Sequence, residues 1–211
     1  MVIEVEDDKA PLYKQYISII IIITNIVVFI FQVLDPTGNM LIPAGAFYPS
    51  EFFAGERMWT IFTSTFMHAD YVHITMNLAF FIVVTDNCEK EMGHVFFLIT
   101  YLLSGLVGSL LHGIFAIFVG WGDIPSLGAS GAIMGIIAVY GTLFPKNKLK
   151  YIGAVGRTIT ARTFIFVTFV TELIYGLTSL FILTGTAHFA HIGGMIVGFI
   201  CAGIFKIVKR D

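Results

Sequence analysis

A few polar side chains in this 211-residue chain stand at spacings that could do chemistry. Ser130 lies in Gly128-Ala129-Ser130-Gly131, a serine between glycines. His188 and His191 are three residues apart and His73 and Asn77 four, so each pair shares one face of a helix. A serine beside a histidine is a nucleophile with its general base. An imidazole and an amide supply N–H donors that hold an oxyanion. Clustered histidines also ligate metals, so a metal-dependent enzyme or transporter is a rival reading. Against it, the chain has no H-E-x-x-H pair, and the carboxylate expected near the outer histidines is Asp70, at the rim. Ser18, Ser64, Ser104, Ser109 and Ser179 are read as structural hydroxyls, bonded back to their own helix carbonyls or across to a neighbour. His94 and His112 are read as satisfied interior groups.

The solvent around these groups follows from composition. The chain is 57% hydrophobic and 12% charged, against about 25% charged in soluble domains. Its mean hydropathy is +0.88. A soluble globular protein is excluded, and a net charge of −2 with no basic tract excludes a nucleic-acid partner. Cys88 and Cys201 are too few for a disulfide framework. The partner this composition implies is the lipid bilayer.

A membrane-crossing helix needs about 20 apolar residues. Residues 15–34 are Ile-rich and uncharged, follow an acidic segment and lack a small-residue cleavage site, so they are expected as a retained first span and not a secretory signal. Further spans are expected at 71–87, about 95–118 and 124–145. Residues 163–205 hold two more, divided by Thr184-Gly185-Thr186-Ala187. Residues 35–70 form one long amphipathic connection, suited to the membrane interface. The expected fold is an all-α, polytopic, six-helix bundle with no room for a separate soluble domain. Arg57 stands alone on one side of these spans, and the other eleven of 12 Lys and Arg lie on the opposite side. Both termini are therefore expected in the cytoplasm.

With that orientation the second, fourth and sixth spans all start at the outer face. Their first turns carry His73 and Asn77, then Ser130, then His188 and His191. Helical Cα–Cβ bonds tilt toward the N-terminus, so Ser130 and His191 lean toward water. Helix N-termini add free N–H groups and positive partial charge near the serine. Gly131 and Gly135, and Gly194 and Gly198, form small-xxx-small pairs that let helices approach closely. Such an approach would bring Ser130 to His191. Glu172, in the fifth span, costs at least about 2.5–3.5 kcal/mol as a bare mid-membrane charge. It is expected protonated or hydrogen-bonded inside the bundle, as a structural or gating contact in preference to a proton or ion relay, for which a lone acid is a thin basis. No Asp or Glu lies in the outer halves of the second, fourth or sixth spans, so a Ser-His dyad is expected, not a triad.

At these residues the sequence resembles the rhomboid intramembrane serine proteases, over about residues 15–205. Gly128-Ala129-Ser130-Gly131 is similar to the family's GxSG motif on its fourth helix, and Ala190-His191 through Gly194 to Gly198 to AHxxGxxxG on its sixth. His73 to Asn77 resembles HxxxN on the second helix, and Glu89-Lys90 with Gly93 the turn that follows it. Two positions depart from the pattern. The family's Trp-Arg pair in the first loop is Trp59-Thr60 here, with Arg57 upstream, and an aromatic residue usual four positions after the serine is Met134.

The resemblance implies a protease domain over 15–207, with the first loop at 35–70, a short cytoplasmic tail at 1–14 and a cytoplasmic end at 208–211. It implies hydrolysis of transmembrane substrates near the outer face of the cell membrane, without cofactor or metal. Ser130 and His191 would be catalytic. His73, Asn77 and the Ser130 N–H would form the oxyanion hole. Gly128, Gly131, Gly135, Gly194 and Gly198 would be supporting packing positions. The fifth helix and residues 184–187 would be the movable gate. A catalytically silent relative that binds transmembrane helices is the alternative.

Overall fold

In the computed structural model, residues 2–4, 11–35, 40–151 and 158–209 are described. Six longer helices form the body. They are α1 (Tyr16–Leu34), α5 (Tyr71–Met92), α6 (His94–Phe118), α7 (Ser130–Leu143), α8 (Ala161–Thr178) and α9 (His188–Val208). Three one-turn helices, α2 (Leu41–Gly45), α3 (Pro49–Phe53) and α4 (Thr60–Thr63), punctuate the long first connection.

Among the described residues four helices, α1, α6, α8 and α9, are long and apolar enough to cross a membrane. A fifth crossing arises if Thr60–Phe66 and Tyr71–Met92, bent by 86°, count as one broken span. This is a multi-pass helical membrane protein. Its outer surface fits lipid, with Ile20, Ile23, Ile30 and Phe31 exposed on α1 and Phe166, Ile174 and Leu177 on α8.

The expected fourth span, 124–145, contracts to the 14 residues of α7. Pro125 and the positive φ of Gly128 keep the preceding stretch non-helical. At 1.5 Å per residue, α7 is about 21 Å long, shorter than the hydrocarbon core. It lies inside the bundle instead of facing lipid, with Ile136, Ile137, Ala138, Val139 and Tyr140 at most 1% exposed. The expected second span lengthens to Met92, because Asp86, Asn87 and Glu89 are buried against protein and the helix ends only at Gly93, φ 76°.

A small sheet departs from the all-α expectation. Strands β1 (Val2–Glu4), β2 (Lys148–Tyr151) and β3 (Thr158–Thr160) pair antiparallel in that order. Such short strands leave no period-two signature over four to eight residues.

Close packing centres on glycine. A Cβ on Gly194 would collide with the Gly131 carbonyl oxygen, and one on Gly198 with the Gly135 carbonyl oxygen. α7 and α9 therefore touch backbone to backbone along both expected glycine pairs. On the other face of α9, a Cβ on Gly193 would stand 2.9 Å from the Cα of Gly108 in α6. Close van der Waals contact replaces the hydrophobic drive that lipid does not supply between helices.

The start of α1 has no side-chain cap of its own. Glu89, fully buried on α5, supplies one from across the bundle. Its Oε1 accepts from the Ile17 N–H at 2.8 Å, and its Oε2 from the Ser18 N–H at 2.9 Å and the Ser18 hydroxyl at 2.5 Å. His94 Nδ1 lies 2.6 Å from Oε1. A carboxylate against free helix N–H groups satisfies orphan donors and opposes the helix dipole. Arg57 secures the first connection, pairing with Glu51 at 2.7 Å, lying over the Tyr48 ring and donating to the Pro43 carbonyl.

Candidate active site

Ser130 is the first residue of α7, so its backbone N–H has no partner inside that helix. The approach to it is pinned to the first connection. Phe47 and Ser126 exchange backbone hydrogen bonds of 3.0 and 2.9 Å, and the Gly128 N–H donates to the Ser64 carbonyl at 2.9 Å. Gly128 has φ +126°, and a Cβ there would press 2.8 Å from the His73 ring. Only glycine combines that backbone with that closeness.

His191 stands in the first turn of α9, where the glycine contacts hold α9 against α7. Its Nε2 lies 2.8 Å from Ser130 Oγ. That is the contact a serine nucleophile and its base require.

His73 approaches from α5. Asp70 caps this helix, its Oδ1 accepting from the His73 N–H at 2.8 Å. The Ala69 N–H donates to His73 Nδ1 at 3.3 Å, so a neutral ring carries its proton on Nε2, against Gly128. Asn77 donates one amide hydrogen to the His73 carbonyl at 2.9 Å and keeps a second. These groups line one cavity of about 300 Å³, with His73, Asn77, Ser130, Met134 and His191 on its walls and Gly185–Ala187 at its edge. Met134, in place of the expected aromatic residue, is thus part of the cavity wall. A second cavity of about 350 Å³, lined by His112, Trp121 and His188, shares the same 185–187 edge.

Glu172 corrects the expectation that only Asp70 would lie near the outer histidines. Its Oε2 is 2.7 Å from His188 Nδ1 and 2.9 Å from His191 Nδ1, and its side chain is 13% exposed. The His188 contact is a well-formed hydrogen bond. The His191 contact is close but off-axis, so Nδ1 lacks a well-directed partner. The carboxylate comes from α8, outside the three spans considered in the sequence, and no spacing rule links its rotation about α8 to α9.

Among the described residues, Glu172, His188 and His191 form the one group of three whose ligating atoms are close enough together to consider a metal. Tetrahedral zinc with ligands at about 2.05 Å sets neighbouring donors about 3.3 Å apart. Separations of 2.7 and 2.9 Å are hydrogen-bond lengths. As arranged, the carboxylate–imidazole separations are those of hydrogen-bonding distance, and the cluster would have to spread to take a metal.

A model of the Rhomboid domain matches residues 55–207, most of the chain. The chain belongs to the rhomboid family. Among curated relatives of this rhomboid, "RHOMBOID-like protein 6, mitochondrial" of Arabidopsis thaliana is 27% identical over 83% of this chain and 52% of its own length. "Rhomboid-like protease 3" of Toxoplasma gondii is 32% identical over 62% of this chain and 46% of its own. "Inactive RHOMBOID-like protein 8" of Arabidopsis thaliana is 29% identical over 77% and 42%. The chain spans about half the length of these relatives. The family thus includes members named as proteases and members named inactive, and the distinction rests on the site.

Proposed function

We propose that this rhomboid is an intramembrane serine endopeptidase that cleaves transmembrane segments of membrane proteins near the outer face of the cell membrane. The observation that carries this reading is the 2.8 Å contact between Ser130 Oγ and His191 Nε2 at the wall of a cavity. A purely structural serine at a helix start has no need of a base at that distance.

In this mechanism Nε2 of His191 takes the Ser130 hydroxyl proton as Oγ attacks the scissile carbonyl carbon. The carbonyl oxygen becomes an oxyanion. It is held by the Ser130 N–H, His73 Nε2–H and the free amide hydrogen of Asn77. Collapse breaks the C–N bond, and imidazolium His191 gives its proton to the leaving amine. A water, deprotonated by His191, then hydrolyses the acyl-enzyme and restores Ser130. The dyad carries every proton transfer, and no cofactor takes part in a step. Entry of the substrate beside α8, with Gly185–Ala187 yielding, gives the scissile bond access to the cavity.

The second reading is a silent rhomboid that binds transmembrane helices, favoured by the likeness to a relative named inactive. One experiment separates the two. Full-length protein in liposomes is given a reporter-tagged transmembrane substrate, beside Ser130→Ala and His191→Ala. An endopeptidase cleaves the substrate and loses this in both variants. A silent binder retains the substrate uncut, and cleavage that survives Ser130→Ala contradicts the proposed nucleophile.

A further inference from the structure

The Glu172 node is not used by the two-residue mechanism, yet it touches the base of that mechanism from behind. A neutral imidazole carries one proton, on Nδ1 or on Nε2. Only the Nδ1–H form leaves a lone pair on Nε2 to receive the Ser130 proton. The opposite tautomer would donate to Oγ and could not act as base. What selects the tautomer is the group that faces Nδ1, and here that group is Glu172 Oε2 at 2.9 Å.

We propose that Glu172 is a positioning residue for His191, which holds the imidazole in the Nδ1–H tautomer and stabilises the imidazolium that forms when Ser130 is deprotonated. This deepens the serine-endopeptidase reading and, for its catalytic consequence, rests on it. The carboxylate is itself placed by His188, whose Nδ1 bonds the same oxygen at 2.7 Å and whose ring stacks on Tyr175 with centroids 5.4 Å apart. Oε2 therefore stays beside Nδ1 although the His191 contact is off-axis in the free protein. Catalytic hydrogen bonds in free enzymes are often poorly aligned and tighten with substrate. In the shielded end of a bundle, a carboxylate against a transient imidazolium acts at a lower dielectric than water. Because Glu172 is on α8 and both histidines are on α9, the same contact ties the helix beside the cavity to the helix that bears the base.

The test uses the full chain in liposomes or detergent, with ¹⁵N-labelled histidine. Wild type is expected to show His191 protonated at Nδ1 and unprotonated at Nε2. Glu172→Gln is expected to mix or reverse that pattern. It should lower kcat on a transmembrane substrate by about 10²–10⁴-fold with KM little changed, the range a misplaced general base costs. Glu172→Asp keeps the charge and should recover at least tenfold of that loss. A wild-type His191 with its proton on Nε2 overturns the inference whether or not the variants fold. So does a Glu172→Gln protein with wild-type kcat, or one whose loss tracks only a lower Tm with the tautomer unchanged. Failure of the underlying activity looks different. Wild type then cuts no substrate, while the NMR tautomer still reports on Glu172.

Discussion

Ser130 is an ordinary alcohol until its surroundings act on it, and each neighbour does so through a different atom. His191 Nε2 stands 2.8 Å from its oxygen and takes its proton in the proposed reaction, the start of α7 offers a free N–H, and Asn77 has an amide hydrogen to spare. Removing one oxyanion donor typically costs 10²–10³ in rate. Asn77→Ala should therefore lower kcat by about that factor while Tm changes little, measured by substrate cleavage and thermal unfolding. At this scale the sequence was informative where residues share a short motif. Ser130 with its flanking glycines, and His73 with Asn77, were legible because fixed spacing puts them on known helix faces. Glu172 was not. Its partners are on another helix, and hydropathy says how long a helix is without saying which way a lone acid turns.

At the scale of elements, the site depends on how closely α7 and α9 approach. Gly194 faces the Gly131 carbonyl with no room for a Cβ. Gly194→Ala should destabilise the bundle by about 1–3 kcal/mol, the usual cost of overpacking, and separate Ser130 from His191. A lower Tm with loss of cleavage is the expected pair of readings. Wild-type cleavage in this variant would mean that the helices can shift without harm to the site. A second element-level dependence lies at the opposite end of α5, where Glu89 caps α1. Glu89→Ala leaves the Ile17 and Ser18 N–H groups without that acceptor. It should cost at least about 1–3 kcal/mol and speed hydrogen exchange at both amides. Four of the expected spans, α1, α6, α8 and α9, were legible from apolar runs, since lipid demands them. The brevity of α7 was not, because a helix wrapped by protein and a helix wrapped by lipid are both apolar.

For the whole molecule, charge decides orientation. Eleven of 12 basic residues fall on one side of the helical body as the sequence divides it, with Arg57 on the other. By the positive-inside rule, that division leads us to expect the 146–162 connection and the end of α9 in the cytoplasm. A reporter fused after Asp211 should read cytoplasmic, and an exterior signal would reverse the topology and put the cavity at the inner face. The small sheet joins Val2–Glu4 to the connection between α7 and α8, on this same basic side. It was illegible in sequence because β1 pairs with β2 across most of the chain and strands of three or four residues have no local hydrophobic period.

The most direct measurement is covalent labelling by a fluorophosphonate, read by mass spectrometry of the labelled peptide. The probe reacts with a serine only when a base activates it. Wild type should carry one adduct, on Ser130, and both Ser130→Ala and His191→Ala should carry none. An unlabelled wild type that still binds transmembrane helices, or an adduct that persists in His191→Ala, would contradict a Ser130–His191 nucleophile.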